Sequence, residues 1–534
     1  MRLALRNCSA TRFHRPSAYN PFVNSETDVL IAGAGPTGLV LALWLTRLGV
    51  RVRIVDKTSE PGTTSRALAV QARTLELYSQ IGLSGAVVER GRRVAAVNLW
   101  VGGKKVTHVV FGDMGAGISP FPYALVFPQD EHERLLVDRL AEAGVTVERR
   151  TELLDLRDAS DRVLARLKRP DGSIEACEAA YIAGCDGAHS TVRGALQIGF
   201  QGGEYAHLFY VADVQAGGEA ANGELHVSLD TNDFLAVFPL KGDGRVRLVG
   251  TVRDDAENQG ENLSWNDVSK RVIEWMRIDV QRVSWFSTYR VHHRVADHFR
   301  KGRAFLLGDA AHIHSPVGGQ GMNTGIGDAV NLAWKLAAVL RGRADTALLE
   351  SYESERIAFA RRLVATTDQA FTGVTSSGAI ARLVRLEIVP FLMPRFLRRE
   401  AGRRLLFRTV SQTAVNYRGS SLSEGRAGSI HGGDRLPWVK PGANGAGEDN
   451  YAPLRSVDWQ VHVYGDAGSE LGAFCESRKL PLHVFPWRPE MDRAGLRRDA
   501  AYLVRPDGYV ALADADGSDA AVASYLDARK FTQY

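Results

Sequence analysis

The sequence predicts an α/β fold. It has a dinucleotide-binding unit on a parallel sheet, an antiparallel sheet inserted into that unit, and a smaller α/β unit at the C-terminal end. Three observations lead there. A strand, a glycine turn, a helix and a second strand open the ordered part at residue 28. Period-two alternation dominates from about 205 to 290. The tail from about 450 reads β-α-β-β-β-α.

The first element is DVLIAG, a short buried strand, within DVLIAGAGPTGLVLALWLTRLGVRVRIVDK (28–57). A helix follows with Pro36 in its first turn and Gly49 past its end, the expected asymmetry. RVRIVD is the second strand, which completes one βαβ unit. RALAVQARTLELYSQIGL (66–83) reads as helical, and PQDEHERLLVDRLAEAG (128–144) as an amphipathic helix closed by a glycine. Strand-like alternation runs from about 145 to 183, and YIAGCDGAHSTVR (181–193) is a strand, a turn and a helix start. GELHVSLD, DFLAVFPL and RVRLVGTVR alternate as an antiparallel sheet would. RAFLLGDAAH returns to a buried strand. The helix DAVNLAWKLAAVLRG carries Val330, Ala333 and Leu340 on its apolar side, continuing from Ile326, and stops at Gly342. A long Arg-rich helical stretch reaches about 410. The Gly- and Ser-rich 411–435 reads as a linker. YLVRPDGYVALA is a hairpin around Pro506-Asp507-Gly508.

Bulk properties narrow the class. At 534 residues there is room for more than one core, and 45% hydrophobic with 24% charged residues is ordinary for a soluble globular chain. Apolar runs such as GLVLALWL fall far short of the ~20 residues of a membrane span. The net charge of +5 looks small and spread along the chain, with no block dense enough for a nucleic-acid arm. A mildly positive field suits an anionic cosubstrate. Cys8, Cys177, Cys185 and Cys475 form no CxxC or zinc spacing, which points to a reducing, cytoplasmic setting without structural disulfides. Residues 1–27 read as a flexible N-terminal extension. Arg2, Arg6, Arg12 and Arg15 precede any acid, as in a transit peptide, but an amphipathic pattern is missing.

Three motifs carry chemistry. The first is Gly33-x-Gly35-x-x-Gly38, with Pro36 and Thr37 inside it and Asp56-Lys57 at the end of the second strand. Gly33 permits the turn, Gly35 lets a pyrophosphate approach the backbone, and Gly38 lets helix and strand pack. The helix N-terminus adds unpaired N–H groups and partial positive charge. An acid at Asp56 accepts a ribose hydroxyl and disfavours a 2′-phosphate, so the ligand is NAD or FAD. The second motif is Gly184-Cys185-Asp186-Gly187 with Ser190 and Arg193, which alone would be a plain turn. The third is GDAAHIHSPVGGQGMNTGIGD (308–328). A metal site would need His312, His314 and Asp309 to converge, and no further ligand lies nearby. A phosphate loop would need Gly-Lys-Ser/Thr. What remains is an acid at a strand end and a Gly-rich loop feeding a helix near Met322–Asn323, whose dipole favours negative charge on a ligand.

In this order, about 150 and 120 residues apart, the motifs resemble the FAD-dependent aromatic hydroxylases, single-component flavoprotein monooxygenases of the p-hydroxybenzoate hydroxylase type. The similarity covers roughly 28–370 of the chain, and an FAD-binding domain with an interleaved substrate sheet is expected over 28–410. It implies FAD as cofactor, NADH or NADPH as reductant and O2 as cosubstrate. It implies hydroxylation of a phenolic or other electron-rich ring through a flavin C4a-hydroperoxide. It places Asp309 on the ribityl chain, Pro316 beside flavin and substrate, and Gly319, Gly321, Met322 and Asn323 at the ring. Arg66 or Arg73 and Gln129 would support FAD, and Asp186 would serve both FAD and the pyridine nucleotide. Residues 436–534 look like the thioredoxin-like domain of phenol-hydroxylase-like members, with Cys475 alone and so without dithiol chemistry. A structural or homodimer-contact role is the expectation. His226, Phe234 and Phe238 are candidate substrate-lining residues, no catalytic base is identified, and no metal or nucleic acid is expected. A plain NAD-dependent dehydrogenase would leave 308–328 unexplained. A flavin halogenase would need a WxWxIP-type motif that is absent. An FAD-stabilised scaffold would bind flavin without substrate-stimulated NAD(P)H oxidation.

Overall fold

The computed structural model describes residues 25–62, 67–229, 234–252, 263–315, 318–375, 383–442 and 449–532. The expected extension over 1–27 lies almost wholly outside them; the first strand begins at Ser25.

Ser25–Ala32 runs parallel to Val52–Val55 on one side and to Ile174–Gly184 on the other, and Ala304–Leu306 continues the parallel run. Val29, Leu30 and Ile31 are fully buried, as befits a strand covered on both faces. After Ser25–Ala32 the chain moves one way to Val52–Val55, and it later returns on the opposite side as Ile174–Gly184. Such a reversal opens a crevice beyond the carboxyl ends of the strands, the place where open α/β sheets bind ligands. Helices Pro36–Arg47 and Gly321–Leu340 pack over this sheet.

The second sheet has eight strands. Its order is His312–Ile313, Ile278–Ala296, Phe200–Gly218, Arg245–Thr251, Phe234–Pro239, Leu225–Leu229, Ala96–Val101, Lys104–Val110. It is wider than the expected 205–290. The two 19-residue strands overrun those bounds, and 96–110 joins through a parallel pairing with Leu225–Leu229. That pairing spans more than a hundred residues, so local alternation cannot announce it. The expected helix over 66–83 is also split. Ala69–Val70 pairs as a strand with Ala124–Val126, and the helix is Ala72–Gln80.

The C-terminal sheet orders Ile430–His431, Glu424–Ala427, Val510–Asp514, Ala501–Val504, Gln460–Tyr464 and Leu482–Phe485. Ser469–Arg478 and Asp519–Ala528 cover one face of it through Leu471, Val522 and Leu526. The expected linker 411–435 is therefore partly strand: Glu424–Ala427 pairs parallel with Val510–Asp514. Gly425 lies in that strand, and Gly428, Gly432 and Gly433 form turns beside it rather than a spacer. The hairpin around Pro506–Gly508 leaves this sheet and buries its tip against the first unit. There Arg73 donates to the Asp507 carbonyl at 2.6 Å, and Trp334 Nε1 donates to Asp507 Oδ2 at 3.2 Å.

Candidate active site

Three strand ends converge. The turn after Ser25–Ala32 supplies Gly35, Pro36 and Thr37; the turn after Ile174–Gly184 supplies Cys185 and Gly187; Leu307 and Asp309 follow Ala304–Leu306. Together with Gln129, the 313–315 and 319–322 stretches and a patch of the second sheet they line a cleft of about 500 Å³.

The first turn is tight for sequence reasons. Gly33 has φ +102°, and a Cβ there would lie 2.2 Å from the Cys185 carbonyl oxygen. A Cβ on Gly38 would lie 2.0 Å from the Gly33 carbonyl oxygen. Gly35 differs: a Cβ there meets nothing within 4 Å, and no side chain caps the helix that begins at Pro36. The first-turn amides and the open space in front of them form a cradle for an anionic group. Asp56 holds the turn from behind, accepting from the Ala34 amide at 2.6 Å through Oδ2 and from the Thr58 amide at 2.8 Å through Oδ1. Asp186 Oδ2 accepts from the Thr191 and Val192 amides, while its buried Oδ1 has no protein partner.

The 308–328 stretch resolves into two roles. His312 hydrogen-bonds Asp328 Oδ2 at 2.7 Å, Arg356 donates to Asp328 Oδ1 at 2.6 Å, and all three are buried. This triad pins the loop to the helix Gly321–Leu340 and accounts for His312 without a metal. His314 faces the cleft. Its Nδ1 lies 2.8 Å from the Ser315 carbonyl, an acceptor only, so Nδ1 carries the proton and Nε2 is a lone-pair acceptor. Burial, with His312 nearby, pushes the His314 pKa down to about 4, so the ring is neutral near pH 7. Nε2 of His314 and Oγ of Ser315 are buried without a protein partner. Buried polar atoms normally find partners. Here, as at Asp186, the orphans line or adjoin the cleft, which fits a large polar ligand seated in it.

The opposite wall is apolar. Phe238, Val249 and Tyr289 line the cleft from the second sheet, on the face where Phe209, Val211 and Val291 cluster.

A family model described as FAD binding domain matches residues 26–367. The chain belongs to this family of FAD-dependent aromatic hydroxylases. The 6-methylpretetramide 4-monooxygenase of Streptomyces rimosus is 35% identical to it over 517 residues, covering 91% of this chain and 90% of that protein. The pentachlorophenol 4-monooxygenase of Sphingobium chlorophenolicum is 30% identical over 427 residues, covering 78% and 76%. The solved OxyS anhydrotetracycline hydroxylase from Streptomyces rimosus has a TM-score of 0.74 at 29% identity, covering 95% of this chain and 99% of that one. As a flavoprotein aromatic monooxygenase the chain works with FAD, NAD(P)H and O2.

Against this hydroxylase framework, most of the residues singled out from sequence fall at the cleft or its turns. Gly35, Pro36, Thr37, Gln129, Asp309, Gly319, Gly321 and Met322 line it. Gly33, Gly38 and Asp56 shape its first turn, and Lys57 follows on the exposed side. Arg66 and Pro316 lie outside the described residues. Asn323 adjoins the cleft, but its side chain is committed within the protein. It accepts from the Gln71 amide and Thr74, and donates to the Ala69 and Gly319 carbonyls.

Three expectations are corrected. Arg73 does not reach the cleft: its buried guanidinium lies 4.9 Å from the Tyr509 ring and binds Glu76 and the Asp507 carbonyl. It belongs to the contact with the C-terminal unit, whose Asp507 lies 434 residues away along the chain. His226 faces away from the cleft. It pairs across the sheet with Val237, on the face opposite Phe238. Trp100 Nε1 donates to its Nδ1 at 3.0 Å, and Nε2 lies 2.8 Å from Asn222 Oδ1. Burial pushes its pKa down to about 4, so it is a neutral structural residue. His226→Ala should cost about 2–4 kcal/mol of unfolding free energy, from a cavity and an orphaned indole N–H. It should leave KM for substrate unchanged. Denaturant titration alongside steady-state kinetics checks this, and a raised KM with unchanged stability would restore the substrate role. Phe234 shares the face of Phe238 and packs on Phe209 at 6.4 Å, but does not line the cleft. Tyr289 was missed. Its signal was strand parity with Phe209, which requires the cross-strand register.

Proposed function

We propose that the protein hydroxylates a phenolic, multi-ring aromatic substrate held against Phe238, Val249 and Tyr289, at the expense of NADH or NADPH. The observation that carries this reading is the two-sided cleft. One wall offers glycine backbone and helix N-terminal amides, and the other is an aromatic and aliphatic sheet face. An apolar wall facing a few placed polar groups is what a flat aromatic ligand beside a polar cofactor requires. The relatives named for tetracycline-type substrates support a large ring system over a single phenol.

FAD, when bound, supplies the redox chemistry that takes electrons from the nicotinamide and delivers one oxygen atom from O2. This chain's residues would hold it. The first-turn amides of the helix from Pro36 and the open space at Gly35 receive the pyrophosphate, Asp56 the adenine-side ribose and Asp309 the ribityl hydroxyls. Gln129 and Asp186 support the cofactor from the flanking helix and turn. Gly319, Gly321, Met322 and the Asn323 backbone receive the ring. His314 Nε2 accepts a hydrogen bond inside the cleft, either from the ring system or from a substrate hydroxyl. The apolar wall excludes water and orients the substrate ring.

The C-terminal unit we read as thioredoxin-like. Two helices, Ser469–Arg478 and Asp519–Ala528, cover one face of a mixed sheet in the fitting order. Cys475 is alone and buried, with its thiol pushed up to about 11 by desolvation, so the module serves structure and not thiol exchange.

The test is NADH and NADPH consumption in air with phenols, hydroxylated acids and aromatic polyketides, together with product mass. One compound that accelerates consumption and gains one oxygen atom supports the reading; slow consumption that no compound changes refutes it. With that compound, Phe238→Ala should raise KM about tenfold, as loss of a ring contact worth roughly 1–1.5 kcal/mol requires, and lower the yield of product per NAD(P)H. Unchanged KM and yield would remove Phe238 from the substrate wall.

A further inference from the structure

The segment 383–410 forms a π-helical turn, Val384–Ile388, and two helices, Val389–Arg398 and Glu400–Val410. Its inward side is ordinary. Leu397 and Phe407 are buried in a cluster with Val109, Phe111 and Met114, and Phe238 of the cleft wall packs on the same cluster. Its outward side is not. Val384, Ile388, Leu392 and Phe396 repeat at four-residue spacing and stand in solvent, with Phe391 57% and Leu405 58% exposed. A surface helix normally carries one apolar stripe, facing the core; this segment carries a second, facing out. Of twelve large apolar side chains exposed among the described residues, seven lie between 383 and 405.

Charge concentrates at the same place. The segment holds seven arginines against Glu387 and Glu400, an excess of five. The whole chain carries +5, so the remainder is neutral by count. The segment is thus a concentration of positive charge, as is the acid-free stretch 1–24, with acids elsewhere offsetting them. Arg398, Arg399 and Arg408 are exposed, and the Arg395 guanidinium lies 3.5 Å from the Phe391 ring centroid at the margin of the apolar stripe.

Large apolar side chains edged by arginines are the composition of helices that lie in a lipid interface, where acyl burial and anionic headgroups act together. Nucleic acid would use the arginines but not the aliphatic stripe. A second copy would use the stripe but, across a two-fold axis, would bring like charges together. No helix among the described residues is long and apolar enough to cross a membrane, so the contact is peripheral. We propose that the arginine-edged apolar face of 383–410 docks the protein on an anionic lipid surface. Because its inner side shares a side-chain cluster with Phe238, docking puts the lipid one packed layer from the cleft wall.

The test is sedimentation of the FAD-loaded full chain with vesicles of phosphatidylcholine alone and of phosphatidylcholine mixed with phosphatidylglycerol. Binding is expected to the mixed vesicles only, and to weaken at high salt. Phe391→Ser with Phe396→Ser, and separately Arg398→Gln with Arg399→Gln, should each weaken it by about tenfold or more. Melting temperature and NAD(P)H oxidation in solution should stay unchanged. No binding to mixed vesicles, or binding that neither double variant alters, overturns the proposal. So does self-association that the same variants abolish, which would make the face a dimer contact. Capture by polyglutamate without vesicle binding would instead make it a site for an acidic protein.

Discussion

Gly35→Asp should give a protein that folds normally and purifies without flavin. The position has extended backbone, φ −77° and ψ −178°, and a Cβ there meets nothing within 4 Å. Asp is a favourable residue before a helix, so the ligand-free fold should hold its stability to within about 1 kcal/mol or gain slightly. The empty space, however, is the pyrophosphate's. A carboxylate there repels it and occupies the approach that glycine keeps clear. FAD affinity should fall by a hundredfold or more, about 3 kcal/mol. The measurement pairs FAD titration, followed by protein fluorescence, with thermal unfolding of the flavin-free variant. Retained FAD affinity would show that the cradle ahead of Pro36 is not the diphosphate site. Collapse of the flavin-free fold would show that Gly35 is structural.

Glu355→Ala should cost about 3–5 kcal/mol of stability, the penalty for leaving buried cations unpaired. Glu355 is fully buried and accepts from Arg505 at 2.7 and 3.1 Å, Lys335 at 2.9 Å, Asn331 at 2.6 Å and Ser420 at 2.7 Å. Burial alone would raise its pKa, but Arg505 and Lys335 outweigh that and hold the carboxyl well below the usual carboxylate range. The sign follows. A depressed carboxylate contributes stability that is fully present above its unfolded value near 4.5 and is lost as pH falls below it. Wild-type stability should therefore drop on acidification below about pH 4.5, and that part of the slope should be missing in the variant. Denaturant unfolding at several pH values measures both. Equal slopes would show that Glu355 does not govern the acid limb.

The parts of the site that the sequence revealed are those encoded over short distances. The glycine turn, Asp56 and the helix from Pro36 lie within one βαβ unit, where spacing and strand ends settle geometry. The loop from Gly308 into Gly321–Leu340 is equally local, and its reading carried over to the cleft. Side-chain direction across the second sheet was not legible. The two 19-residue strands shift register between Glu204 and Leu208, between Asp213 and Val214 and between Gln215 and Ala216. The last two shifts are of one residue each and reverse which side of the sheet a given parity faces, so parity counted along the sequence fails across them. His226 was misplaced and Tyr289 passed over for lack of the cross-strand register. Arg73 shows the other limit. Its partner Asp507 is 434 residues away, and local pattern cannot tell a buried anchor from a cofactor ligand.

The hairpin tip at 505–508 has a consequence for biosynthesis. Arg505 and Asp507 leave the ribosome long after Glu355, Trp334 and Arg73 have emerged. Until then the nascent chain holds those groups without the partners that satisfy them in the finished molecule. Domains usually mature in the order they are made; here the earlier half must wait for the later one. The helix Gly321–Leu340 spans from the cleft at its N-terminus to Trp334, which rests on this tip. A chain stopped short of the hairpin thus lacks the support behind the flavin-side loop, and cofactor capture reports on whether synthesis has passed the hairpin.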